Sequence, residues 1–231
     1  MTSFLLALAA FLVAHLLPAW PPVRARLVAL LGRRGYLVAY SLVSLALLAW
    51  LIQSAVTADD VQLWAPAAWQ WWVPLVAMPA AGFLLTAGLI EANPLSVSLR
   101  AGDGLPAVAC ITRHPVLWGF LIWAASHVPP NGRLVPVLLF GAMAALSGAG
   151  FVLVDRKARR RLGEERWRAL AAGSSTLPFA AMLAGQARCG RWKALALSAA
   201  LAAALYAWFL LGGHALLIGP DPLAGLHALT G

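Results

Sequence analysis

The chain has 231 residues, of which 62% are hydrophobic and only 11% charged, with eleven tryptophans. Soluble domains carry about a quarter charged residues, so the composition excludes that class and points to an all-α, polytopic transmembrane bundle. The formal net charge of +9 would suit a nucleic-acid binder in a soluble protein. In a membrane chain it reports instead on which connections face the cytoplasm, so the expected partner is the lipid bilayer and not nucleic acid.

Residues 2–17 are apolar without interruption and end at Pro18. No Lys or Arg precedes them, so the segment lacks the basic region of a secretory signal peptide and is expected as helix one. A basic connection follows with Arg24, Arg26, Arg33 and Arg34, and residues 36–56 form a second apolar run, close to the ~20 residues that span a bilayer. Asp59 and Asp60 come next. The third span, at 71–90, begins in a cluster of Trp64, Trp69, Trp71 and Trp72, as expected where amphipathic rings sit at headgroup level.

A polar connection then runs to Arg113, with turn signals at Asn93-Pro94 and Gly102-Asp103-Gly104. Helix four is expected from Pro115 to about Val128, because proline suits a first helical position and disfavours helix at the residue before it. His114 then sits at the helix entrance. The Pro129-Pro130-Asn131-Gly132 turn reverses the chain into helix five at 134–154, with Asp155 an interfacial residue at its end. The stretch DRKARRRLGEERWR from Asp155 to Arg168 reads as an interfacial segment drawn to anionic lipid. A sixth span covers 195–211, and a tail of unassigned structure, 212–231, closes the chain. Neither a repeat nor a soluble domain is visible, so 1–231 reads as one integral membrane domain of about six helices.

Sixteen of the seventeen Lys and Arg residues fall before helix two, between helices three and four, or around helices five and six. The excess of Lys and Arg marks the cytoplasmic side, so both termini are expected on the other side of a bacterial inner membrane. Cys110 and Cys189 have no CxxC or CxxH partner and are expected as reduced packing residues. HExxH, Walker and GxGxxG motifs are absent, and the sequence offers no Ser-His-acid set.

The chemistry concentrates in residues 111–127, ITRHPVLWGFLIWAASH, which place Arg113, His114 and His127 in or beside an apolar run. Ionisable groups at membrane depth cost a few kcal/mol each, so they face a protein interior, a cofactor or a water-filled cavity. His15 and His127 each lie in an expected span, and neutral imidazole is a common haem ligand. On helix one, Phe4, Leu8 and Phe11 share the face of His15. On helix four, Gly119 and Trp123 precede His127 at four-residue steps, a small residue and an aromatic wall. Depth sets a difficulty: His127 stands roughly 20 Å along the helix from His114, and simple topology puts His114 nearer the level of His15.

His15, Tyr36 with Tyr40-Ser41-Leu42, Asn93-Pro94, Thr112-Arg113-His114-Pro115, Gly119, His127 and Asn131-Gly132 together resemble the NnrU family of integral membrane proteins over about residues 3–190. That family includes plant and algal ζ-carotene isomerases, and its bacterial members are associated by name with nitrite and nitric oxide reduction. The resemblance implies haem b with His15 and His127 as iron ligands. It also implies a lipophilic polyene as substrate or a role in nitrogen-oxide metabolism. Where the isomerases have a cysteine three residues before the second ligand, this chain has Ala124, which argues against a thiol-dependent ligand exchange.

A more distant similarity, through Arg113-His114-Pro115, Gly119, Leu162-Gly163-Glu164-Glu165 and Leu177-Pro178-Phe179, is to isoprenylcysteine carboxyl methyltransferases and related phospholipid methyltransferases. It implies S-adenosylmethionine near His114. Asp155-Arg156 stands in place of the paired glutamates of those enzymes and removes an acidic pair from that pocket. A third possibility is a non-catalytic assembly or transport factor.

Overall fold

The protein is described by a computed structural model over residues 1–17, 20–59 and 61–223. Pro18, Asp60 and the tail histidine His227 lie outside the described residues, which form two compact units.

The first unit contains residues 1–64 and 132–139. Helix α1, Thr2–Leu16, buries Phe4, Ala7, Leu8 and Phe11, a stripe at three- and four-residue spacing. Its partner α2 spans Pro21–Val56 and opens on prolines, whose missing N–H groups cost nothing in a first turn. The stretch expected as a basic connection is therefore helical, because arginine, leucine and alanine are good helix formers. The helix breaks at Gly32, where φ is +68°, a left-handed conformation that a side chain would oppose. Beyond that break Leu37, Val38, Leu42 and Leu45 face outward, as a hydrocarbon solvent allows. The fully buried Phe4 and Leu51 belong to the packed faces of α1 and α2, and Ser3 Oγ lies 3.2 Å from Ser54 Oγ.

At the far end of α2, residues 61–64 pair with the turn at 132–134. Leu63 N–H donates to Gly132 O at 2.8 Å and Leu134 N–H to Val61 O at 2.9 Å. A Cβ on Gly132 would fall 2.5 Å from Trp64 O, so only glycine permits this approach. Residues 61–64 and the chain at 132–134 are thus held together by backbone bonds.

The second unit contains residues 65–131 and those from 140 onward. It is built on α3, Ala68–Ile90, which packs against α4, Pro115–His127, and α8, Trp192–Trp208. Pro79 cannot donate to Leu75 O, four residues earlier. That orphaned carbonyl accepts the Tyr206 hydroxyl at 2.8 Å, which ties α8 to α3. The α3–α4 seam closes on glycines: a Cβ on Gly88 would lie 2.7 Å from Val116 Cγ2, and one on Gly119 2.6 Å from Leu85 Cγ.

Helix α5 runs over Leu134–Leu162 and continues well past Val154, because the Arg/Lys/Ala-rich sequence propagates helix until Gly163 adopts φ +80°. The basic segment then forms α6, Glu164–Ala171, followed by one turn of helix, α7, at Ala180–Leu183. After α8 a wide turn at Phe209–Gly213 leads into α9, His214–Ile218.

Cys110, in a short 3-10 turn, and Cys189, just before α8, form a disulfide with Cα atoms 5.4 Å apart. The expectation of reduced cysteines is corrected here. Their pairing is non-local, and one apolar cluster with Leu84, Val108, Ala181 and Leu195 brings them together.

Helices α2, α3, α5 and the α8–α9 segment are long and apolar enough to cross a membrane. At 15 and 13 residues, α1 and α4 fall short of the ~20 that span a bilayer unaided. The fold is an all-α membrane bundle, and the protein is multi-pass.

Candidate functional site

His114 caps α4 with φ −118° and ψ 59°, held out of the helix by Pro115 at its first position. Its side chain is wholly buried. Nδ1 lies 2.9 Å from Ser96 Oγ, and Nε2 lies 3.2 Å from Asp155 Oδ1. The second approach is close enough for electrostatic attraction but misaligned for a hydrogen bond, so both atoms are otherwise unpartnered. The ring thus meets the Ser96 hydroxyl on one edge and the Asp155 carboxylate on the other.

Arg113 completes this polar knot. Its Nη1 donates to Asp155 Oδ2 at 3.0 Å, its Nε to Ser174 Oγ and its Nη2 to Ser174 O, each at 3.3 Å. Its guanidinium carbon stands 5.0 Å from the centre of the Trp167 ring. The surrounding backbone is equally committed. Asn93 Nδ2 donates to Arg113 O at 3.1 Å, and Arg113 N–H to Ser175 O at 2.8 Å. Thr176 O accepts from both Thr112 Oγ1 and Trp118 Nε1. A buried charge must be paired and hydrogen-bonded to be tolerated, and here the loop before α4, the turn at 93–96, α5 and the segment 174–176 supply those partners.

Asp155 is thus not the interfacial helix end that its place in the sequence implied. It sits inside a continuing helix as the partner of two residues 41 and 42 positions earlier. Ser96, His114 and Asp155 also make the serine, imidazole, carboxylate series that the sequence did not reveal. A groove of about 290 Å³ reaches this series; it is lined by Phe151, Val152, Asp155, Arg156, Arg159 and Thr176 and not by Ser96. The carboxylate end is therefore the end open to a ligand.

The opposite end of α4 carries a different environment. His127 Nδ1 lies 2.7 Å from Trp123 O, and because a carbonyl only accepts, Nδ1 carries the proton. Nε2 keeps its lone pair and has no hydrogen-bond partner among the described residues. The ring stands 5.7 Å from that of Trp123 and 5.1 Å from that of Phe140. Asn131 Nδ2 donates to His127 O at 2.7 Å and fastens the helix end.

In the first unit His15 repeats the arrangement. Its Nδ1 lies 2.8 Å from Phe11 O, its ring stacks on Phe11 at 4.1 Å, and Tyr40 stands edge-on at 5.9 Å. The sequence-predicted residues therefore divide: Arg113 and His114 meet at the α4 entrance, and Trp123 and His127 meet at its exit. Gly119 between them is packed against Leu85 and Ala81 of α3, and His15 belongs to the other unit. Ser96, Ser174 and Asp155 were missed. The only sequence signal was a lone acid between the apolar run at 134–154 and a basic one, which cannot name its partners.

No curated protein and no solved structure matches the chain. The family model described as NnrU protein matches residues 3–222, nearly the whole length, and the chain belongs to the NnrU family.

Proposed function

We propose that this membrane protein binds haem b through Nε2 of His127, with His15 as the second imidazole, and serves nitrogen-oxide metabolism in a bacterial inner membrane. The observation that carries the reading is the bond from His127 Nδ1–H to Trp123 O at 2.7 Å. Iron-ligating histidines commonly donate the other ring N–H to a carbonyl or carboxylate, which fixes the tautomer, orients the ring and raises its basicity. His15 carries the same bond to Phe11 O.

A b-type haem would supply a redox-active iron. The chain's own residues hold the ligand and keep water from it: the Trp123 carbonyl sets the His127 ring, and the Trp123 and Phe140 rings wall it in. Ala124, fully buried one turn before His127, offers no thiol to exchange with the imidazole. That weighs toward nitrogen-oxide chemistry and against ligand-exchange isomerisation of a lipophilic polyene.

The test is the absorption spectrum of the purified protein, oxidised and reduced. A Soret band with split visible bands on reduction supports the reading; protein that stays colourless after incubation with haem removes it.

A second reading, S-adenosylmethionine at Arg113 and His114, draws on the groove beside Asp155. It is the weaker one, because both side chains are already committed to Asp155, Ser96 and Ser174.

A further inference from the structure

The groove at the α4 entrance is independent of the haem reading, and its walls change character along one face of α5. Phe151 and Val152 lie in the apolar part of the helix. Asp155, Arg156 and Arg159 follow at the point where the charged sequence begins, with Thr176 across from them. An amphiphile has that same division.

The charges in the groove do not cancel. The Asp155 carboxylate is taken from within by Arg113 and His114, at 3.0 and 3.2 Å. Its Oδ1 and His114 Nε2 are enclosed without aligned partners, so Asp155 is not free to turn outward and neutralise the arginines. Arg156 and Arg159 have no ion-pair partner among the described residues. Arg159 is nevertheless fixed, its guanidinium carbon 3.8 Å from the centre of the Trp167 ring. By contrast, the neighbouring Arg166 and Arg168 are paired, with Asp103 at 2.7 Å and Glu164 at 2.8 Å.

We propose that this groove binds one anionic glycerophospholipid, its phosphate held between Arg156 and Arg159 and the start of an acyl chain lying along Phe151 and Val152. Guanidinium groups recognise phosphate by forked, charge-assisted hydrogen bonds, and a fixed guanidinium loses less freedom in making them. A groove of about 290 Å³ that stands open to its surroundings, with an apolar wall beside its arginines, suits a headgroup and the start of its chain. Phosphate alone would leave the apolar half of the groove without an occupant. The ligand therefore combines a phosphate with a hydrocarbon chain.

The experiment is native mass spectrometry of the whole protein released from detergent, with phosphatidylglycerol or phosphatidylcholine added. Wild type is expected to retain phosphatidylglycerol with an affinity higher by on the order of tenfold, given the surface attraction contributed by each arginine. The double substitution Arg156→Gln/Arg159→Gln is expected to lose that preference. Arg156→Gln alone, which leaves Arg159 on Trp167, is expected to lose part of it and keep the wild-type melting temperature. Arg166→Gln/Arg168→Gln removes the same charge from outside the groove and is expected to change nothing.

Retention unchanged in the groove variants would overturn the proposal, as would equal loss in the control pair, which would mean general charge attraction. Calorimetric binding of S-adenosylmethionine that is lost in Arg156→Gln/Arg159→Gln would also overturn it. A colourless protein that keeps the lipid preference would leave this site standing while the haem reading falls.

Discussion

Asp155 Oδ2 and Arg113 Nη1 stand 3.0 Å apart, and that contact joins the end of the apolar run in α5 to the entrance of α4. Removing one partner of a mostly buried pair leaves the other charge uncompensated, at about 3–5 kcal/mol for full burial. The Asp155 side chain retains 21% exposure, which places the cost of Asp155→Asn near the lower end of that range. The measured outcome is a clear fall in melting temperature in detergent. Asp103→Asn, which breaks the exposed Arg166 pair, is expected to leave it unchanged, as solvent-screened pairs contribute little.

The α3–α4 seam supplies a second comparison. A methyl group at Gly119 would meet Leu85 Cγ at 2.6 Å and Ala81 O at 3.0 Å, whereas one at Gly148 would meet nothing within 4 Å. Gly119→Ala is expected to destabilise by about 1–3 kcal/mol through overpacking, and Gly148→Ala to be neutral or slightly stabilising as a helix gains alanine. Thermal melts of the two variants side by side check this. Equal melting temperatures would mean that α4 does not lie tightly on α3.

What the sequence made legible follows the range of the forces involved. The ends of α4, the all-α class and the apolar cores of α2, α3, α5 and α8 come from local signals: Pro115, a tryptophan cluster and windows of about twenty apolar residues. The basic extensions of α2 and α5 were not legible as helix, because charge was read as connection where arginine and alanine favour helix. Short α6 was missed for the same reason. Asp155 as the partner of Arg113 and His114, Ser96 as the partner of His114, and the Cys110–Cys189 pair depend on contacts between segments far apart in the chain. No spacing rule encodes those.

Topology can be tested directly. From the excess of Lys and Arg, residues 157–161 are expected in the cytoplasm and Asn131 on the opposite side, and the backbone pairing of Val61 and Leu63 with residues 132–134 ties residues 61–63 to the turn at 132. A reporter fused after Asn131 is expected to read as outside, as is one fused after Gln62, while one fused after Lys157 reads as cytoplasmic. Opposite readings for Gln62 and Asn131 would contradict the pairing.

The central claim is that His127 Nε2 is an iron ligand, and the most direct measurement is the spin state of the haem in single-site variants. An iron with an imidazole on each face is low-spin, and loss of one ligand changes the spin state. His127→Ala and His15→Ala are each expected to convert a low-spin spectrum to a high-spin one. His114→Ala, at the other end of α4 and enclosed by Ser96 and Asp155, is expected to leave it low-spin. A low-spin spectrum that survives His127→Ala and is lost in His114→Ala would contradict the account and move the ligand to the α4 entrance.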